Sequence, residues 1–254
     1  MQIRVLGCSG GIGAGRSTTS FLLDRDVLID AGTGVGALDT SALLVLDHVF
    51  LTHSHLDHVA ALPFLLDTFG AGRRAPLQVH AQEATVAALK AHVFNDKIWP
   101  DFTRIPSPET PLLALRTLNP GEEVTLAGRS IRAIPVNHAV PAVGYLIRGP
   151  GGSLAFSGDT TVTDEFWRVL NDCADLKHLI VETSYTDAEA ELARIARHMC
   201  PRMLVGELQK LRRRAQIHIT HLMPGREDTI MREIAGHIPH DTPRRLMPGE
   251  IFEL

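Results

Sequence analysis

Cysteine is scarce here. Cys8, Cys173 and Cys200 are scattered, odd in number and form no Cys-x-x-Cys pair, which excludes a disulfide framework. A reducing compartment, the cytoplasm, is the simplest reading. Charge of one sign is lacking too: 29 acidic residues stand against 25 basic ones. A chain that grips long nucleic acid presents a basic face. The one block of like charge, Arg212-Arg213-Arg214, reads as a solvated helix end. No apolar run approaches the ~20 residues of a membrane span. Met1 to Gly7 passes directly into a strand pattern without a basic leader, so no signal peptide is expected.

The 254 residues fit one α/β domain, 1–254, able to bury its own core. Strand patterns cover Ile3 to Leu6, Ser20 to Leu23, Val27 to Ile29, His48 to Thr52 and Leu77 to His80. Helical spacing covers Gly36 to Leu44, Asp57 to Phe69 and Glu83 to Phe94. A proline-rich loop fills 95–111. Strand patterns return over Glu123 to Leu126, Ser130 to Val136, Val143 to Ile147 and Ser153 to Ser157. The last part alternates: helix Thr163 to Leu170, strand His178 to Glu182, helices Asp187 to His198 and Pro201 to Leu211, strand Gln216 to Thr220, helix Arg226 to Ala235, and a short strand near Ile251. Two β-rich halves with helices between them imply two central sheets with helices outside.

The densest chemistry is His53-x-His55-x-Asp57-His58, just past a hydrophobic strand. Three imidazoles and a carboxylate suit zinc, and also manganese, iron or cobalt. The bland alternative is a solvated histidine loop, which this density argues against. Four ligands in one short run cannot all converge on one ion with open coordination, so two ions are expected. Further ligands should then lie at other strand ends. His138, Asp159 and His221 each follow a predicted strand with Pro or Gly nearby. The spacing leaves open which residues share an ion. His218, three residues before His221, falls on the other strand face and reads as packing or surface. His198 ends a predicted helix, where the plain reading is a dipole-stabilised cap.

The start, Gly7-Cys8-Ser9-Gly10-Gly11-Ile12-Gly13-Ala14-Gly15-Arg16-Ser17, nearly spells a phosphate loop. Arg16 replaces the required Lys, and a strand pattern follows where that motif needs a helix. A tight hairpin using glycine dihedrals is the reading taken.

Together these segments resemble the metallo-β-lactamase superfamily over nearly the whole chain. The carriers are His53-x-His55-x-Asp57-His58, His138, Ser157-Gly158-Asp159-Thr160 and His221. The resemblance implies an α/β fold, a four-layer αββα sandwich of two mixed central β-sheets flanked by helices. It implies His53, His55 and His138 on one divalent ion and Asp57, His58 and His221 on the other, with Asp159 bridging. Zinc is the first choice, manganese or iron the alternatives. The segments at Leu6 to Gly11, Thr18 to Ser20 and Leu28 to Gly34 resemble the branch holding tRNA 3′-end ribonucleases and class II cyclic-nucleotide phosphodiesterases. There Asp30 supports a metal-bound His from behind, and Glu182 is given the same rank. A His after a Glu-bearing strand assists the leaving group in the phosphodiesterases, which assigns His198.

Leu56 within the motif, Ile180-Val181-Glu182-Thr183-Ser184, His198-x-x-Pro201 and Ile217 to Pro224 resemble the class II phosphodiesterases. His138 to Tyr145 resembles the ribonucleases. The function implied is hydrolysis of 3′,5′-cyclic nucleotides, cAMP or cGMP, to nucleoside 5′-monophosphates by metal-bound hydroxide. Asp57 would orient or deprotonate the nucleophile, and His198 would protonate the leaving oxygen. The alternatives are a tRNA 3′-end ribonuclease, a hydrolase of another small ester or lactone, and a non-catalytic metal-binding scaffold. Loop 95–111 offers Trp99 and Phe102 to stack on a base; packing under the loop or at a homodimer contact competes with that. A small nucleotide is the expected partner, with no membrane and no long nucleic acid.

Overall fold

Along Ser20–Leu23, Val27–Ile29 and Gly152–Phe156 every side chain is buried, and along Leu176–Glu182 all but two are, so these strands are sandwiched on both faces rather than half-solvated. The computed structural model describes residues 1–70, 73, 75–240 and 242–254. Its strands in chain order are Gln2–Gly7 (β1), Ser20–Leu23 (β2), Val27–Ile29 (β3), His48–Phe50 (β4), Leu77–Ala81 (β5), Leu113–Thr117 (β6), Glu123–Leu126 (β7), Arg129–Pro135 (β8), Val143–Gly149 (β9), Gly152–Phe156 (β10), Leu176–Glu182 (β11), Gln216–Thr220 (β12), Arg244–Arg245 (β13) and Ile251–Glu253 (β14). They form two seven-stranded sheets, ordered β14-β1-β2-β3-β4-β5-β6 and β13-β12-β11-β10-β9-β8-β7. Both are mixed. In the first, β14, β1, β2 and β3 pair antiparallel and β3 to β6 parallel. In the second, β7 to β10 pair antiparallel and β10 to β13 parallel.

Three apolar layers follow from the alternation. Val5, Phe21, Ile29 and Phe50 meet Ala133, Val143, Tyr145 and Phe156 between the sheets. Phe21 meets Phe156 edge-on at 4.9 Å, and Tyr145 donates its hydroxyl to the Leu51 carbonyl at 2.7 Å across the gap. Leu22, Leu28, Val49 and Leu51 point outward to Thr40–Leu44 (α1), to Leu62–Phe69 (α3), which follows the single turn Leu56–Val59 (α2), and to Glu83–His92 (α4). Ala155, Leu179, Val181 and Ile219 face Glu165–Asn171 (α5), Pro201–Leu208 (α7) and Glu227–His237 (α8), and Ala190–Ala196 (α6) precedes α7 in the chain. Helices thus flank both sheets, the four-layer α/β sandwich that the resemblance implied.

The differences from expectation are local. The helix expected over Asp57 to Phe69 is broken, because Ala31 enters its ladder: Ala31 N donates to the His58 carbonyl and Ala61 N to the Ala31 carbonyl. The helix expected from Gly36 is a 3-10 turn, Thr33–Ala37, and then α1, capped by Asp39 accepting from Ala42 N at 2.8 Å. The helix from Asp187 starts as the 3-10 turn Asp187–Glu189 and stops at Ala196. β6 and β13 were unexpected. Among the described residues no helix is long and apolar enough to cross a membrane.

Two imidazoles are walled into the sheets. His80 stacks on Phe50 at 4.4 Å, and its Nε2 lies 3.1 Å from His48 Nδ1. His218 meets Phe252 edge-on at 4.8 Å beside His178. Burial, aided by positive neighbours, pushes each down from 6.5 to about 4. The unfolded chain therefore binds protons at these sites as pH drops through 6.5, while the folded chain refuses them until about 4. Their contribution is unchanged above 6.5 and turns against the fold between 6.5 and 4. In urea melts at about pH 7.5 and about pH 4.5, His218→Leu should lose less stability than wild type over that interval. An equal loss in both proteins would contradict the assignment.

Candidate metal centre

The ligand candidates gather at one edge of the sandwich, beyond the carboxyl ends of strands from both sheets. His53 follows β4, His55 and Asp57 open α2, and His58 lies one turn in. His138 follows β8, Asp159 follows β10 and His221 follows β12. Two backbone features pin the edge together. Val143 N donates to the Thr52 carbonyl at 3.0 Å, tying sheet to sheet. Gly32 passes so close to α2 that a Cβ there would lie 2.3 Å from the Asp57 carbonyl oxygen.

Two groups of donor atoms result, each lying within 4.8 Å of one another: His53, His55, His138 and Asp159, and Asp57, His58, Asp159 and His221. Asp159 belongs to both. Its Oδ2 lies 3.7 Å from His53 Nε2, 3.2 Å from His58 Nε2 and 3.3 Å from His221 Nε2. Asp57 Oδ2 lies 3.1 Å from His221 Nε2, and His138 Nε2 lies 3.1 Å from His55 Nδ1.

A matching family model covers residues 25–229 and is described as a beta-lactamase superfamily domain. A probable 3′,5′-cyclic-nucleotide phosphodiesterase of Yersinia pestis is 26% identical over 253 residues, covering 83% of this chain and 72% of that protein. A ribonuclease Z of Haloarcula marismortui is 28% identical over 155 residues, covering 58% of this chain and 47% of that protein. In fold, the chain matches the metallo-beta-lactamase fold protein YhfI of Bacillus subtilis (TM-score 0.78, 18% identity, 99% of each chain). It also matches unliganded yeast PDE1 (TM-score 0.79, 18% identity, 97% and 96%). The chain belongs to the metallo-β-lactamase superfamily.

In this superfamily member the donor chemistry fits cations. In four of the five histidines the ring nitrogen that faces away from the centre has an oxygen beside it. His58 Nδ1 is 2.7 Å from Asp30 Oδ2, His53 Nδ1 is 3.0 Å from Thr52 Oγ1, His221 Nδ1 is 2.9 Å from Ser184 Oγ and His138 Nδ1 is 3.0 Å from the Arg197 carbonyl. An imidazole that donates its proton backward presents a bare lone pair forward. Nε2 of His53 and His58 are buried without a hydrogen-bond partner. Burial opposes the charge on Asp159, but the imidazoles of His221 and His58, where they carry a proton in place of a metal ion, outweigh it and hold the carboxyl well below its usual range. Lone pairs facing an anion repel unless a cation lies between them. The two groups could hold one divalent ion each, and a solved relative, PqqB of Methylobacterium extorquens, is zinc-bound.

Asp30 is fully buried at φ 56°, a left-handed conformation uncommon outside glycine. Its carboxylate accepts from Thr52 N at 2.7 Å and Thr52 Oγ1 at 2.9 Å as well as facing His58. His221 is held at φ 60° by its N–H, which donates to the Cys8 carbonyl at 2.8 Å. The glycine-rich start is a hairpin, with Arg16 N donating to the Gly13 carbonyl and Gly15 at φ 70°. Gly10 lies against His221, where a Cβ would come 2.7 Å from its carbonyl oxygen.

His198 joins the cluster. Its Nδ1 lies 2.8 Å from Glu182 Oε1, and its ring stands 4.9 Å from His138 and 5.2 Å from His221. Burial opposes its charge, but the Glu182 carboxylate outweighs burial and raises it to about 9. Glu182 also accepts from Thr160 N and Ser184 Oγ, each at 3.1 Å. The expectation for Phe102 needs correction. Phe102 is only 6% exposed and meets Phe94 within the outer core, so its ring faces are already covered by protein. Trp99 is half-buried against the same core, 5.1 Å from Phe64. His48, His80 and His178 lie within the sheets, and His237 pairs with Asp187 at 2.7 Å. Thr52, Ser184 and Arg197 were not anticipated, although Thr52 and Ser184 adjoin the motifs.

Asp30→Asn keeps a residue tolerated at this φ but removes the carboxylate behind His58. Metal affinity, read by competition with a chromophoric chelator, should fall about 10–100-fold while the fold persists by circular dichroism. Unchanged affinity would contradict this role for Asp30.

Proposed function

We propose that this chain is a two-ion phosphodiesterase that opens 3′,5′-cyclic nucleotides, cAMP or cGMP, to nucleoside 5′-monophosphates. The observation that carries the reading is His198, backed by Glu182 at 2.8 Å, beside two donor groups that share Asp159. Two divalent ions, zinc first and manganese or iron as alternatives, would supply a hydroxide nucleophile near neutral pH and offset the charge growing on the phosphoryl oxygens. His53, His55 and His138 would hold one, Asp57, His58 and His221 the other, and Asp159 both.

Each further role belongs to a side chain. Asp57 is 30% exposed, the most open of the carboxylates, so it can meet the nucleophile while Oδ2 faces His221. It would orient that hydroxide or accept the proton of the water from which the hydroxide forms. His198 offers its proton to the leaving ribose oxygen, and Glu182 keeps the ring turned toward it. A cyclic phosphate has both ester oxygens on one ring, so one donor beside the ions serves the bond that breaks. The Yersinia relative supports this substrate class, matching over more of both proteins than the Haloarcula ribonuclease Z. The ribonuclease relatives support cleavage at tRNA 3′ ends as the second reading.

Zinc-loaded protein should turn over cAMP or cGMP, and chelation should abolish it. Asp57→Ala should lower kcat by about 10³-fold, and His198→Ala by about 10²–10⁴-fold with little change in KM. Cleavage of precursor tRNA without turnover of either cyclic nucleotide would replace this reading with the second.

A further inference from the structure

Four imidazoles at the centre are backed by side chains: His53 by Thr52, His58 by Asp30, His198 by Glu182 and His221 by Ser184. His138 differs. Its Nδ1 faces the main-chain carbonyl of Arg197 at 3.0 Å. Arg197 closes α6 in a left-handed conformation, φ 56° and ψ 46°. Its exposed side chain turns back, and Nη1 donates to the His138 carbonyl at 3.0 Å and to Asn137 Oδ1 at 3.3 Å. One residue therefore grips His138 twice, the ring by a carbonyl and the main chain by a guanidinium.

We propose that Arg197 is a positioning residue for the ion held by His53, His55 and His138. The inference rests on the metallo-hydrolase reading. The left-handed turn aims the Arg197 carbonyl at His138 Nδ1, fixing the proton there and leaving Nε2 free for the ion. A carbonyl at the end of a seven-residue helix can swing, and a single neutral hydrogen bond restrains it weakly. The charged donor to His138 closes the loop from the other side, so ring and carbonyl cannot part. Arg197 is also bonded to His198. It thereby fixes the spacing between this ligand and the proposed proton donor. A residue needed only to end the helix would be glycine or asparagine, which enter this conformation at less cost.

The test compares wild type, Arg197→Gly and Arg197→Lys by Zn²⁺ titration against a chromophoric chelator, with thermal melts of the metal-free proteins. Wild type should bind two ions. Arg197→Gly should lose about tenfold in affinity at one of them and none at the other. Its metal-free melting midpoint should stay at or above that of wild type, because glycine accepts the left-handed turn. Arg197→Lys should recover part of the affinity by donating to the His138 carbonyl. A purely structural role predicts instead that affinity at both ions and the melting midpoint fall together. That result, or two unchanged affinities in Arg197→Gly, overturns this inference alone. Wild-type protein that takes up no ion overturns the metallo-hydrolase reading and the inference with it.

Discussion

The buried carboxylate of Asp30 organises the centre. It lies at the end of β3, out of contact with solvent, and accepts from the backbone and hydroxyl of Thr52 while facing His58. Thr52 Oγ1 in turn lies 3.0 Å from His53 Nδ1, so one carboxylate orders a histidine in each donor group. Burial raises the Asp30 carboxyl above its usual range, and the His58 and Thr52 contacts work against that without cancelling it. A left-handed non-glycine residue stores strain of about 1–3 kcal/mol. Asp30 N donates to the Phe50 carbonyl at 2.8 Å, which holds the residue in that conformation.

The sheets explain why so many polar groups can meet in one place. Each has an antiparallel and a parallel part, and the carboxyl ends of β4, β10 and β12 open on the same edge. Ligands in α/β sheets collect outside such ends because the connections there are loops, free to carry polar side chains. Below that edge Phe21 on Phe156 and Tyr145 bonded to Leu51 hold the sheets face to face. The edge itself carries a set of forward-facing lone pairs around Asp159 that no protein donor satisfies. A cation that satisfies them also stabilises the fold by mass action.

Much of this was legible in the residues. His53-x-His55-x-Asp57-His58 announced metal chemistry by density alone, and Gln216 to Thr220 was read as the strand that forms. Alternation placed His218 away from His221, and it packs on Phe252. The resemblance divided the ligand candidates into two sets, which spacing had left open, and the fold gathers the same two sets of donor atoms. What stayed hidden depends on distant partners. The break between α2 and α3 comes from Ala31, whose approach leaves no mark in the helical spacing. The Arg197 carbonyl behind His138 has no side-chain signature. β6 is a mixed sequence that becomes a strand by pairing with β5, and Phe102 is claimed by the outer core because the proline-rich loop folds down over it.

The central claim is that two donor groups sharing Asp159 each hold a divalent ion. It is tested most directly by anomalous diffraction at the zinc edge from crystals of the zinc-loaded protein. Two peaks about 3.5–4 Å apart are expected. One should lie about 2 Å from nitrogens of His53, His55 and His138, the other at similar distance from His58 and His221 and from Asp57, with Asp159 touching both. No peak at this edge, or a single ion that leaves one of the two groups empty at saturating zinc, would contradict it.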